Sequence, residues 1–270
     1  GAIITFSNAL NQTFNNNTIA NLTNTSTGTS ASANGLLLQG SGTSPSLLGT
    51  FTATGNLIRD ISTSSASTTF VSAVGMSVLG NGQVGGNNLI SQNTIHSIVN
   101  TNPTAATASF GAIFSMSSGT TNVIDRNFIH SISLLTTGAG TITGLQVNSG
   151  TGTYSNNMIR LGIDAAGSSI TGNYTMSGLT EAAAAVPAIL HNSVYVGGTG
   201  VTGASNSFAF RSLGNTGTRI YRNNIFYNAR SNGTGTGKNY AITLAGTAAS
   251  PAGTVSDNNL LLANGTGGFT

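Results

Sequence analysis

Apolar and polar positions along the chain do not follow a helical period. A short motif returns instead: an apolar residue, two further residues, Asn, one residue, then Ile, Val or Leu. It reads Phe14…Asn17…Ile19, Ala53…Asn56…Ile58, Ile90…Asn93…Ile95 and Ile124…Asn127…Ile129. It continues as Tyr154…Asn157…Ile159, Ile189…Asn192…Val194, Ile220…Asn223…Ile225 and Val255…Asn258…Leu260. The Asn anchors are 39, 37, 34, 30, 35, 31 and 35 residues apart. Self-similarity at this period marks a stack of repeated units, each too small to bury a core alone.

A second anchor follows each Asn at about half the period. It is a Gly or Ala opening a strand-like segment, as in Gly35-Leu36-Leu37-Leu38, Gly75-Met76-Ser77-Val78, Gly111-Ala112-Ile113-Phe114 and Gly144-Leu145-Gln146-Val147. Weaker copies open at Gly178, Ala209 and Ala241. Gly/Ser/Thr-rich stretches such as Ser62 to Thr69 and Ser231 to Gly237 read as loops.

Together these predict an all-β, single-stranded parallel β-helix over residues 1–270, with about eight coils and three short strands per coil. The apolar positions flanking Asn are an odd number apart, so strict alternation must break between them. Asn tolerates the left-handed conformation, and a bend there turns both neighbours inward. The amides of Asn17, Asn56, Asn93, Asn127, Asn157, Asn192, Asn223 and Asn258 would then stack as a structural ladder. A β-sandwich would show turn signals every ~8–12 residues and no Asn column.

Composition narrows the function classes. Only 5% of residues are charged and 38% are hydrophobic, against about 25% charged in an ordinary soluble domain. Gly, Asn, Ser and Thr number 37, 32, 33 and 40, so neutral amides and hydroxyls carry the solvation. The net charge of +3 is too small for charge-driven disorder. With no Cys, disulfides and thiolate metal sites are excluded. The longest apolar run, Ala182 to Leu190, is far short of a membrane-spanning helix. No cofactor motif is present: Gly197-Gly198-Thr199-Gly200 lacks the Gly-Lys-Ser/Thr ending of a phosphate loop. The chain opens in mid-pattern at Gly1-Ala2-Ile3-Ile4, so the expectation is a segment of a longer chain.

Candidate chemistry is read by register. The position after the inward aliphatic residue points outward and holds Ala20, Arg59, His96, His130, Arg160, Tyr195, Phe226 and Leu261. Arg59 through Phe226 form the candidate ligand-binding stripe, because aromatic faces stack on sugars and Arg pairs with carboxylates. The same column also fits an outer strand face whose rings and stems cover one another. Catalysis would need clustered acids. Asp60, Asp125, Asp164, Glu181 and Asp257 lie at different offsets and share no column, so no catalytic residue is assigned. His96 and His130 share a column, but no third ligand joins them and His191 lies elsewhere, so no metal is assigned. Arg211, Arg219, Arg222, Arg230 and Lys238 form a sparse basic run without the interleaved aromatics of a nucleic-acid surface.

The tracts Leu190-His191-Asn192-Ser193-Val194-Tyr195-Val196-Gly197-Gly198, Ser207-Phe208-Ala209-Phe210 and Tyr221-Arg222-Asn223-Asn224-Ile225-Phe226-Tyr227-Asn228-Ala229-Arg230 carry a resemblance. They are similar to segments of very large secreted or cell-surface proteins of Bacteroidota-type bacteria. Those proteins combine right-handed parallel β-helix repeats with Ig-like modules and a C-terminal sorting domain. The resemblance covers about 154–269 and implies right-handed coils and an exported location, not a reaction. The expected function is therefore a non-enzymatic extracellular stalk, adhesin segment or head-to-tail fibre subunit. Its partners would be flanking domains, surface glycans or another copy docking on unpaired strand edges. The alternative is a carbohydrate-binding module or degenerate polysaccharide lyase or hydrolase.

Overall fold

The computed structural model describes residues 3–7, 11–27, 30–40, 50–65, 70–79, 87–102, 107–115, 122–246 and 252–269. These residues form strands and no helix. The first four coils run β1 (Ile3–Ser7), β2 (Asn11–Asn15), β3 (Thr18–Asn24), β4 (Ser30–Gly40), β5 (Thr50–Thr54), β6 (Leu57–Thr63), β7 (Phe70–Leu79), β8 (Leu89–Ser91), β9 (Thr94–Asn100), β10 (Thr107–Ser115), β11 (Val123–Asp125) and β12 (Phe128–Leu134). The long strands β13 (Gly140–Ser155) and β15 (Tyr174–Leu190) follow, with β14 (Met158–Leu161) between them. The chain closes with β16 (Ser193–Val196), β17 (Ser207–Ser212), β18 (Arg219–Arg222), β19 (Ile225–Asn228), β20 (Asn239–Thr243), β21 (Thr254–Asp257), β22 (Leu260–Ala263) and β23 (Gly268–Phe269).

Every strand pairs in parallel with its equivalent in the next coil, which is the expected parallel β-solenoid. One eight-stranded sheet holds β3, β6, β9, β12, β14, β16, β19 and β22. The other two sides join into a fifteen-stranded sheet, because β13 and β15 turn the corner without a break. The segment 231–237 is loop, as expected, whereas Ser62 and Thr63 complete β6. Residues 66–69 of that predicted loop lie outside the described residues.

An internal ladder of amides runs the length of the stack. Asn17, Asn56, Asn93, Asn127, Asn157, Asn192, Asn224 and Asn259 each donate or accept at 2.9–3.0 Å from the next. The last two rungs correct the expected register: Asn224 and Asn259 occupy the ladder, not Asn223 and Asn258. The bend is also displaced. The left-handed residue is the one before each ladder Asn: Asn16, Gly55, Gln92, Arg126, Asn156, His191, Asn223 and Asn258. That residue projects to solvent while the following amide turns into the core.

A second left-handed column explains the packing of the eight-stranded sheet. Asn21, Asp60, Ser97 and Ser131 have φ of 54–58°. The bend breaks alternation within each strand, so Ile58 and Ile61, Ile95 and Ile98, and Ile129 and Ile132 all enter the core. Facing them across the core is the Gly column of the second anchor, Gly35, Gly75, Gly111, Gly144 and Gly178, brought into line by the pairing of the long strands. Toward the C-terminal end this column becomes Ala209 and Ala241, and Phe210, Tyr221 and Phe226 replace aliphatic side chains in the core.

Candidate functional site

The outer face of the eight-stranded sheet carries the stripe. Strand pairing puts Arg59, His96, His130, Arg160 and Tyr195 in one axial column. Phe226 does not join it: it is fully buried against Phe210, and Tyr227 takes the outward position beside Tyr195. This is the same one-residue shift that moves the ladder to Asn224.

Within the stripe the His96 and His130 rings stack, centroids 4.9 Å apart and nearly parallel. Each Nδ1 shares a hydrogen bond with the hydroxyl of the following left-handed serine, Ser97 or Ser131, at 2.9 Å. Burial lowers the pKa of both rings. For His130, the neighbouring His96 and Arg160 add to burial and bring it to about 4. The imidazoles are therefore a neutral stacked pair at pH 7. Parallel rings direct their lone pairs side by side rather than toward a shared point, which suits stacking better than a metal clamp. Among the described residues no three His, Cys, Asp or Glu side chains gather in a metal-binding group.

Two depressions flank this column. A polar trough of about 410 Å³ has Asn21, Thr23, Asp60, Ser62 and Ser97 on its floor, and Ala165 at its end. Ala165 belongs to a tight loop in which the Asp164 carboxylate accepts the backbone N–H groups of Ala166 and Ser168. Further along the axis lies a mostly apolar pocket of about 280 Å³, whose lining includes Phe128, Met158, Arg160, Tyr195, Ile225 and Tyr227.

The acids stay apart. Asp60 pairs with Arg59 and Asp125 with Arg126. Asp125 also accepts from Ser155 and Asn156. Asp257 lies beside Arg222 in strand register and is exposed. The sequence reading missed the fifth acid's surroundings. Glu181 is fully buried, accepting the Tyr221 hydroxyl proton, with Arg219 3.9 Å away and equally buried. Arg219 also donates to Ala252 O and Thr254 Oγ1 at 3.0 Å. The signal was present: Glu181 follows Gly178 by the interval at which Leu38, Val78, Phe114 and Val147 follow their glycines, and those positions point inward.

Burial pushes the Glu181 carboxyl up to about 7, against the opposing pull of Tyr221 and Arg219. A pKa raised in the folded state adds stability that is full below the ordinary value near 4.5 and lost as pH rises toward 7. Glu181→Gln should therefore remove up to about 3 kcal/mol of pH dependence across that window. The readout is the difference between variant and wild type in urea unfolding at pH 5 and pH 8. The lowered His96 and His130 contribute equally to both chains and cancel. An identical pH slope in the two proteins would refute the assignment.

These features define a parallel β-solenoid with an internal asparagine ladder and one flat face bearing imidazole, guanidinium and phenol groups in register. No family profile matches the chain, and neither curated proteins nor solved structures give a match to it.

Proposed function

We propose that the chain is a non-enzymatic structural solenoid of the cell exterior, serving as a stalk, adhesin segment or fibre subunit. The observation that carries this reading is the ladder itself, unbroken from Asn17 to Asn259. Such a column makes each coil a template for the next and yields a stiff rod rather than a cleft. The resemblance to segments of large Bacteroidota-type surface proteins supports an exported location and right-handed coils, and solvation by neutral Asn, Ser and Thr rather than charge accords with that location. End-to-end docking belongs to the same proposal, because parallel strand edges of a solenoid can pair with those of another copy, and such heterologous contacts propagate rather than close.

Electron microscopy of the isolated chain tests the reading. Eight rungs at ~4.8 Å predict a length of roughly 40 Å per subunit. Filaments with that axial repeat are expected for a fibre subunit. Discrete rods of that length would retain the stalk and remove end-to-end docking. Depolymerisation of a polysaccharide by the purified chain would overturn the non-enzymatic assignment.

A further inference from the structure

The apolar pocket on the flat face has the makings of a ligand site that the structural role does not require. Met158 and Ile225 are 54% and 44% exposed at alternate outward positions of one column, with Ser193 between them. Leu260 and Leu262 continue the exposed apolar surface onto the next rung. Tyr195 and Tyr227 form the neighbouring column, ring centroids 5.3 Å apart and edge to face. Arg160 stands in register between His130 and Tyr195. Among the described residues its only hydrogen bond is a long one to Ser131 Oγ at 3.5 Å, and it has no carboxylate partner there. The nearby Asp164 carboxylate is turned to its own loop. Arg59, by contrast, is neutralised by Asp60.

We propose that this pocket binds an acidic, extended β-linked polysaccharide, with the faces of its sugars on Tyr195, Tyr227 and Met158 and a uronate carboxylate on Arg160. Three features select that ligand. A pyranose ring has an apolar face that suits phenol and thioether surfaces, and a pocket this size holds a short stretch of sugar. An unpaired guanidinium in a partly apolar setting favours a planar carboxylate, which it can bind in two parallel hydrogen bonds. The rungs repeat at ~4.8 Å, close to the rise per sugar of an extended β-1,4-linked chain, so the polymer can advance one sugar per coil along the axis.

Isothermal titration of the full chain with β-1,4-linked hexamers of mannuronate and of glucuronate tests this, with neutral mannohexaose as the matched control. Binding of at least one uronate hexamer, at least tenfold tighter than mannohexaose, is expected. Arg160→Gln and Tyr195→Ala should each weaken it at least tenfold, with circular dichroism and thermal midpoint showing that Arg160→Gln leaves the fold intact. Mannohexaose binding as tightly as the uronates would overturn the acidic assignment. Binding that survives Arg160→Gln would overturn the site. No heat from either uronate at millimolar concentration would overturn the proposal as a whole.

Discussion

Asn127→Ala is expected to destabilise the solenoid by about 3–5 kcal/mol, several times the cost of an ordinary surface substitution. The amide of Asn127 works at full capacity. Its oxygen accepts from the backbone and side-chain nitrogens of Asn93, and its nitrogen donates to Ile90 O and Asn157 Oδ1, all at 2.9–3.0 Å. Alanine removes four hydrogen bonds and leaves partners on both neighbouring coils facing a dry core, where an unpaired polar group costs about 1–3 kcal/mol. Water has little room to replace the amide, because Ile124 and Ile129 on either side are fully buried. Urea denaturation of wild type and variant at one pH measures the effect. Asn223→Ala is the control: Asn223 is exposed and left-handed, so its loss should cost only about 1 kcal/mol, from the φ requirement. Equal costs at the two positions would mean that the amide column is not what holds the coils together.

That control also locates where the sequence was legible. The repeat and the anchors at Gly35, Gly75, Gly111, Gly144 and Gly178 could be read directly, because one apolar pattern served each coil. The register failed only in the last two coils, where a second Asn directly follows the first. Ile220…Asn223…Ile225 satisfies the motif as it stands, and Tyr221…Asn224…Phe226 satisfies it with an aromatic residue in the final apolar position. Left-handed backbone decides between them: the residue before the ladder must adopt positive φ, and Asn does so more cheaply than Arg222 would. The doublets Asn16-Asn17 and Asn156-Asn157 already displayed this rule in coils whose register was read correctly. The shift has consequences for the flat face. It sends Phe226 inward and Tyr227 outward, and it creates the column of Met158, Ser193 and Ile225 that lines the apolar pocket. The pocket was hidden for that reason. The polar trough was hidden for another: its end wall, Ala165, comes from a loop whose path the repeat does not encode.

The second large effect is expected at the opposite wall of the core, where Gly144→Ala should cost about 3 kcal/mol. Gly144 does not need glycine for its backbone, since its φ is not positive. The constraint is space alone. A Cβ there would lie 2.5 Å from Ile159 Cγ2 and 2.5 Å from the carbonyl oxygen of Gly178 in the next coil. Rotation of Ile159 can relieve one contact, but the carbonyl belongs to the rung-to-rung pairing of β13 with β15 and cannot yield without spreading the coils. Overpacking of this kind costs about 1–3 kcal/mol when side chains can adjust, and the backbone contact places Gly144 at the upper end. Ala209 offers the reverse experiment in the same column. The aromatic core of the C-terminal coils already accommodates its methyl group, so Ala209→Gly should lose only about 1 kcal/mol of packing and chain entropy. Thermal and urea unfolding of both variants would show whether the close approach of the two walls sets the stability of the aliphatic coils. A Gly144→Ala protein as stable as wild type would mean that the walls can part freely, and that the ladder alone fixes the coil spacing.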